Sequence, residues 1–98
     1  MGEIRVRVVL RKIGRYRLRK SASFNVFYDE RDGMWCVENE ELALAGYGSS
    51  YRKALKDLRD SLDSLLVGFH NIPEEKLSEK SKEIKHRLQE YIDLERFL

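Results

Sequence analysis

LAGYGSSYRKAL, Leu44 to Leu55, sets two glycines and two serines ahead of an apolar-periodic run. Such a turn admits two readings, a phosphate-binding loop or a plain passage from strand to helix. Backbone N–H groups at a helix start attract anions. The known phosphate motifs, however, need G-x-x-x-x-G-K-[ST] or G-x-G-x-x-G, and Gly46-Tyr47-Gly48 completes neither. The passage reading needs only a cap: the Ser49 or Ser50 hydroxyl accepts from an N–H that would otherwise lack a partner, and Gly48 tolerates whatever angles the turn demands.

Beyond the cap, Tyr51, Ala54, Leu55, Leu58, Leu62, Leu65, Leu66 and Phe69 recur at three- and four-residue steps and predict one broad apolar helix face. The other face alternates in sign, Lys53 with Asp57, Lys56 with Asp60 and Arg59 with Asp63, and reads as a solvated surface. Gly68 to Asn71 predict the helix end, since both residue types tolerate the left-handed conformation that closes helices. Pro73 with Glu74 and Glu75 then opens a second helix running to Phe97, with a thinner stripe of Leu77, Ile84, Leu88, Tyr91 and Ile92. A helix with so thin a stripe needs a partner to stay folded.

Upstream, EIRVRVVLRKIGRYRLRK alternates as a strand pair turning at Gly14. Ile4, Val6, Val8, Leu10, Tyr16 and Leu18 fall on an apolar side, of which Val6, Val8, Leu10, Tyr16 and Leu18 should be covered by sheet or helix if the chain is a homodimer. SASFNVFYD continues as strand after a break at Ser21 to Ser23, ERDG turns into MWCVE, and NEELALAGYG is an irregular connection with a short strand near Ala43 to Tyr47. Phe24, Val26, Tyr28, Trp35 and Val37 oppose Phe27, Met34 and Cys36, so both sheet faces are apolar and one helix covers only one. Either the second helix or another subunit must cover the other.

The expected fold is therefore α+β: an antiparallel sheet of three or four strands, one packed amphipathic helix and a second, C-terminal helix. Ninety-eight residues suit one domain with one core. It divides into a basic hairpin extension at 1–22, a core at 23–70 and a C-terminal helix at 71–98. No run is long and apolar enough for a membrane span and no secretory pattern is visible, so the expected location is cytoplasmic and no membrane partner is expected. Cys36 is the sole cysteine and is expected to be a buried thiol; with only His70 and His86 beside it, no zinc spacing arises and no cofactor is expected.

The core segment resembles the HicB-like antitoxin family, whose members pair a small β-β-β-α domain with an RNA-cleaving toxin. The resemblance covers Phe24 to about Val67, through FNVFYDE, DGMW and GYGSSYRKAL. In that last stretch Gly48, Ser50, Ala54 and Leu55 match the family in kind, whereas Ser49, Arg52 and Lys53 stand where it carries acidic residues. The family's proline-rich connection after the second strand is absent, with Glu40 near its place, and the tail lacks the usual operator-binding module. The resemblance implies an orphan, standalone HicB-like domain.

Charge supplies the functional question. Residues 1–20 carry eight basic residues against Glu3, a net +7, leaving −5 for the rest of a chain whose total is +2. The first expectation is a non-catalytic interaction module that self-associates as a homodimer and neutralises a toxin-like partner; its arginines would meet Glu74, Glu75, Glu79 and Glu83 of a second subunit. The alternative is nucleic-acid binding by Arg5, Arg7, Arg15, Arg17, Arg19 and Lys20, with Tyr16 or Tyr47 as stacking groups. Asp29, Glu30, Asp32, Glu38, Glu40 and Glu41 gather near two turns, but solvated turns explain them better than a carboxylate metal site, and neither histidine reads as catalytic.

Overall fold

Alternation in the first half and three-four spacing in the second build an α+β chain. The computed structural model describes residues 4–97. Four strands, β1 (Arg5–Ile13), β2 (Tyr16–Asp29), β3 (Met34–Asn39) and β4 (Leu44–Gly48), form one antiparallel sheet in the order β1-β2-β3-β4. They are followed by α1 (Tyr51–Asn71), a 3-10 turn (Glu74–Lys76), α2 (Glu79–Gln89) and the short α3 (Leu94–Phe97).

The β1–β2 hairpin turns where glycine permits it: Gly14 sits at φ +56°, between the paired Ile13 and Tyr16. The break expected at Ser21 to Ser23 is instead a change of register inside a continuous strand. Leu10 pairs with Ala22 but Lys12 with Arg17, so the extra length of β2 bulges out around Leu18–Ser21. β3 pairs only with Asn25–Asp29 of β2, which leaves the distal hairpin as a two-stranded arm. At the β2–β3 turn the Asp29 carboxylate accepts from the backbone N–H groups of Arg31 and, more weakly, Asp32, so this acid closes a turn.

Glycine in the stretch from Leu44 to Leu55 serves packing. Gly46 and Gly48 face α1 so closely that a Cβ on Gly46 would lie 2.2 Å from the Ala54 carbonyl oxygen, and one on Gly48 2.5 Å from the Ala54 nitrogen. Ser50 is the cap, accepting from the Lys53 N–H at 3.2 Å. Lys53, Lys56, Asp57 and Asp60 are exposed, the solvated surface expected of this face of α1, although its acids meet partners other than the base one turn away. Asp57 accepts from the Tyr47 N–H of β4 at 2.9 Å, Asp63 accepts from the Tyr16 hydroxyl, and Arg59 meets its neighbour Asp60. Asp57 thereby occupies an outward N–H of an edge strand.

The buried stripe of α1 is Ala54, Leu58, Leu62, Leu66 and Phe69; Leu55 and Leu65, expected in the core, are half-buried at its margin. This face meets Phe24, Val26, Val37 and Leu44 of the sheet in one cluster. Trp35 closes one end of it, edge-on to both Tyr28 and Tyr51.

Helix α1 ends at Asn71, within the expected stretch, but not by the expected conformation. No residue at its end takes the left-handed conformation: Ile72 is extended (φ −103°, ψ 120°), the geometry a residue preceding proline prefers. The single second helix is also corrected. Pro73 leads only a 3-10 turn, and α2 starts afresh at Ser78, whose hydroxyl accepts from the Ser81 N–H. Leu88, Ile92 and Leu94 bury into the same cluster as α1, and the Tyr91 carbonyl accepts from the bulged Arg19 N–H at 2.7 Å. The C-terminal segment thus covers the hairpin arm on the α1 side, while Tyr91 also lines a pocket with Arg7, Asn25 and Glu38 on the opposite face, the rest of which no helix packs on among the described residues. Val6, expected to be covered in a homodimer, is 54% exposed in the single chain, while Val8 and Leu10 are half-buried and Tyr16 and Leu18 buried.

Tyr16 couples arm to helix. Its ring is 2% exposed, its hydroxyl donates to Asp63, and Arg15 Nη2 donates to it at 3.1 Å. Burial first, and donation to Asp63 second, push the phenol above its ordinary value of 10.0, although Arg15 acts in the opposite sense. A phenol raised on folding contributes stability that is complete below pH 10 and lost as pH rises through the folded-state value. Urea titrations from about pH 8 to about pH 11 should therefore show stability falling at the alkaline end, and Tyr16→Phe should flatten that fall while costing about 1–2 kcal/mol at neutral pH.

Candidate functional site

Two surfaces hold the charged and apolar side chains that the core does not use. The first is the sheet face opposite α1. Strand parity fixes its members, because residues two apart share a face. One row runs Arg5, Phe27, Cys36, Tyr47 across all four strands, and the next runs Arg7, Asn25, Glu38, Ala45. Arg5 lies over the Phe27 ring, 4.4 Å from its centroid, and its Nη1 is 3.5 Å from Glu38 Oε1. Tyr47 is 49% exposed, whereas Cys36 is buried as expected of a free thiol. The thiol lies outside the main core cluster. The face is cationic along β1, with Arg5 and Arg7 exposed, and acidic along β3 and its following turn, with Glu38, Glu40 and Glu41.

The second surface is a cleft of about 560 Å³ at the hairpin arm, lined by Arg15, Arg17, Leu18, Arg19, Asp93 and Arg96. Arg15, Arg17 and Arg19 point outward because Tyr16 and Leu18, alternating with them, are buried. The C-terminal segment supplies the far wall: Asp93 stands 3.6 Å from Arg19, whose Nη1 also donates to the Gln89 carbonyl at 3.3 Å. Lys20 lies just outside, 3.6 Å from Glu90 and 4.7 Å from the centroid of the Tyr91 ring.

The six cations singled out in the sequence are thus divided. Arg15, Arg17 and Arg19 share the cleft, Arg5 and Arg7 lie on the sheet face, and Lys20 is tied to the C-terminal segment. Among the described residues, the carboxylates that meet these cations are Glu38, Glu90 and Asp93 of the same chain; within the chain, Glu74, Glu79 and Glu83, expected to meet them from a second subunit, have other neighbours. Glu74 approaches Lys85 and His86, Glu79 pairs with Lys82, and Glu83 pairs with Arg87. Arg96 and Asp93 were missed, since more than seventy residues separate them from the hairpin and no local pattern marks either.

Among the described residues, no three His, Cys, Asp or Glu side chains are grouped to hold a metal ion, and no helix is long and apolar enough to cross a membrane. Comparison with protein-family models, with curated proteins and with solved structures gives no match.

Proposed function

We propose that the protein is a non-catalytic interaction module that self-associates through the sheet face opposite α1. The observation that carries this is the row Arg5, Phe27, Cys36, Tyr47, which lies on that face and shows Arg5 and Tyr47 exposed at its two ends. A second copy fits it by charge and register. With a two-fold axis parallel to the strands, β1 and β2 of one copy lie over β4 and β3 of the other. Arg5 then faces Tyr47, Phe27 faces Cys36, and Asn25 faces Glu38. An axis across the strands would instead set β1 on β1 and Arg5 and Arg7 against their own copies, which like-charge repulsion disfavours. The sheets would stack about 10 Å apart at the small angle their twist imposes.

The order β2-β3-β4-α1 is that of the β-β-β-α domain implied by the HicB-like resemblance, which supports a heterotypic role as well: a toxin-like protein is the partner such a module would neutralise. In that reading the dimer is the unit that meets it.

Phe27 lies outside the core cluster, so Phe27→Asp leaves the fold intact while placing a carboxylate in the centre of the proposed interface. Light scattering at micromolar concentration should find a dimer for the unaltered chain and a monomer for this variant. A monomeric unaltered chain, or a variant that still dimerises, overturns the proposal.

A further inference from the structure

The geometry points to the arginine cleft as a binding site for the phosphates of a single-stranded nucleic acid, read without sequence preference. Four guanidinium groups and one carboxylate line it, a local charge of +3 among the described residues. Two of the four are already engaged: Arg15 donates to Tyr16, and Arg19 faces Asp93. Arg17 and Arg96 are exposed and have no ion-pair partner among the described residues. Cations gathered against one another gain from an anion between them, and the planar guanidinium fork matches phosphate oxygens in pairs.

The arrangement suits a polymer. Arg15 in the hairpin turn, Arg17 on β2 and Arg19 in the bulge follow one another along one wall of the cleft, so a strand laid along the arm meets several guanidinium groups in succession. Arg11 and Lys12, exposed on β1 beside Arg17, continue the charge beyond the cleft. An acidic protein segment is the other polyanion. Such a segment docks by seating apolar side chains or by adding a strand, yet among the described residues the only apolar wall here is Leu18, itself buried, and the Arg19 N–H is already taken by the Tyr91 carbonyl. Backbone phosphate needs neither pocket nor strand edge, and it tolerates a site built almost wholly of arginine.

The inference is independent of self-association, because the cleft lies on the arm, away from the rows that form the proposed dimer face. The test is fluorescence anisotropy of a labelled single-stranded oligonucleotide of mixed sequence, titrated with the full chain over a range of salt. Binding should weaken linearly in log salt. Arg17→Glu and Arg96→Glu should each lower affinity by about tenfold or more and reduce the slope by about 0.7 for each phosphate that is no longer neutralised. Arg31→Glu, in the β2–β3 turn, removes the same charge elsewhere and should leave binding within about twofold. Circular dichroism on each variant separates weakened binding from unfolding, and if Arg17→Glu unfolds, Arg96→Glu alone decides. No binding at low salt, equal weakening with Arg31→Glu, or tighter binding of polyglutamate than of the oligonucleotide at matched charge each overturns the assignment, the last in favour of an acidic protein ligand.

Discussion

Gly46→Ala is expected to cost about 3 kcal/mol or more and to lower the melting temperature by at least about 12 °C. A methyl group there would stand 2.2 Å from the Ala54 carbonyl oxygen and 2.4 Å from the Leu58 nitrogen. Overpacking is tolerated when a neighbouring side chain can change rotamer. Here the obstacles are backbone atoms of a 21-residue helix, so relief requires α1 to move off β4. Such a shift would also stretch the bond from the Tyr47 N–H to Asp57 and loosen Leu58 and Leu62 from the sheet. With a total stability of roughly 5–15 kcal/mol, the loss is a large part of the whole. Thermal melting followed by circular dichroism checks it; an unchanged midpoint would mean that helix and strand do not approach as closely as described.

Leu58→Ala should cost about 2–5 kcal/mol, at the upper end if the site cannot collapse. Leu58 is 0% exposed and sits at the middle of the α1 stripe, between Ala54 and Leu62, in the cluster that includes Phe24 and Val37. The sheet below and the helix behind are both regular, so neither can move inward to fill the void. A urea midpoint lowered with an unchanged slope would report this loss as one of stability alone. A neutral result would mean that the stripe had been misassigned to the core.

Much of the fold was legible in the sequence because it rests on period. Two-residue alternation placed the hairpin and its turn at Gly14, and three-four spacing placed α1 with its Ser50 cap. The glycines of LAGYGSSYRKAL have a packing role that spacing alone does not reveal: two glycines two apart in a strand face the same way, and here both face the helix. The solvated face of α1 was legible, but the partners of its acids were not. Asp57 and Asp63 each had a better partner from the sheet, an edge N–H and a buried phenol, than an exposed lysine or arginine one turn away.

The C-terminal half misled more. A proline and two glutamates made a credible helix start, yet the chain resets at Ser78 and bends again after Gln89, because Leu88, Ile92 and Leu94 must reach the core from a segment pinned to the bulge at Arg19. The bulge is itself the least readable feature, set by the pairing of two strands and marked by no residue. It shapes the cleft, for the bulged Arg19 N–H holds the Tyr91 carbonyl, and the segment after Tyr91 sets Asp93 and Arg96 beside Arg17.

The most direct test of self-association through the sheet face opposite α1 is an isotope-filtered NOE experiment on a mixture of labelled and unlabelled chains, which records only proximities between copies. The account predicts signals from the Phe27 ring to Cys36, and from the Arg5 side chain to the Tyr47 ring, of the other copy. Intermolecular signals confined to β1 against β1, or none under conditions where the chain is a dimer, would contradict it.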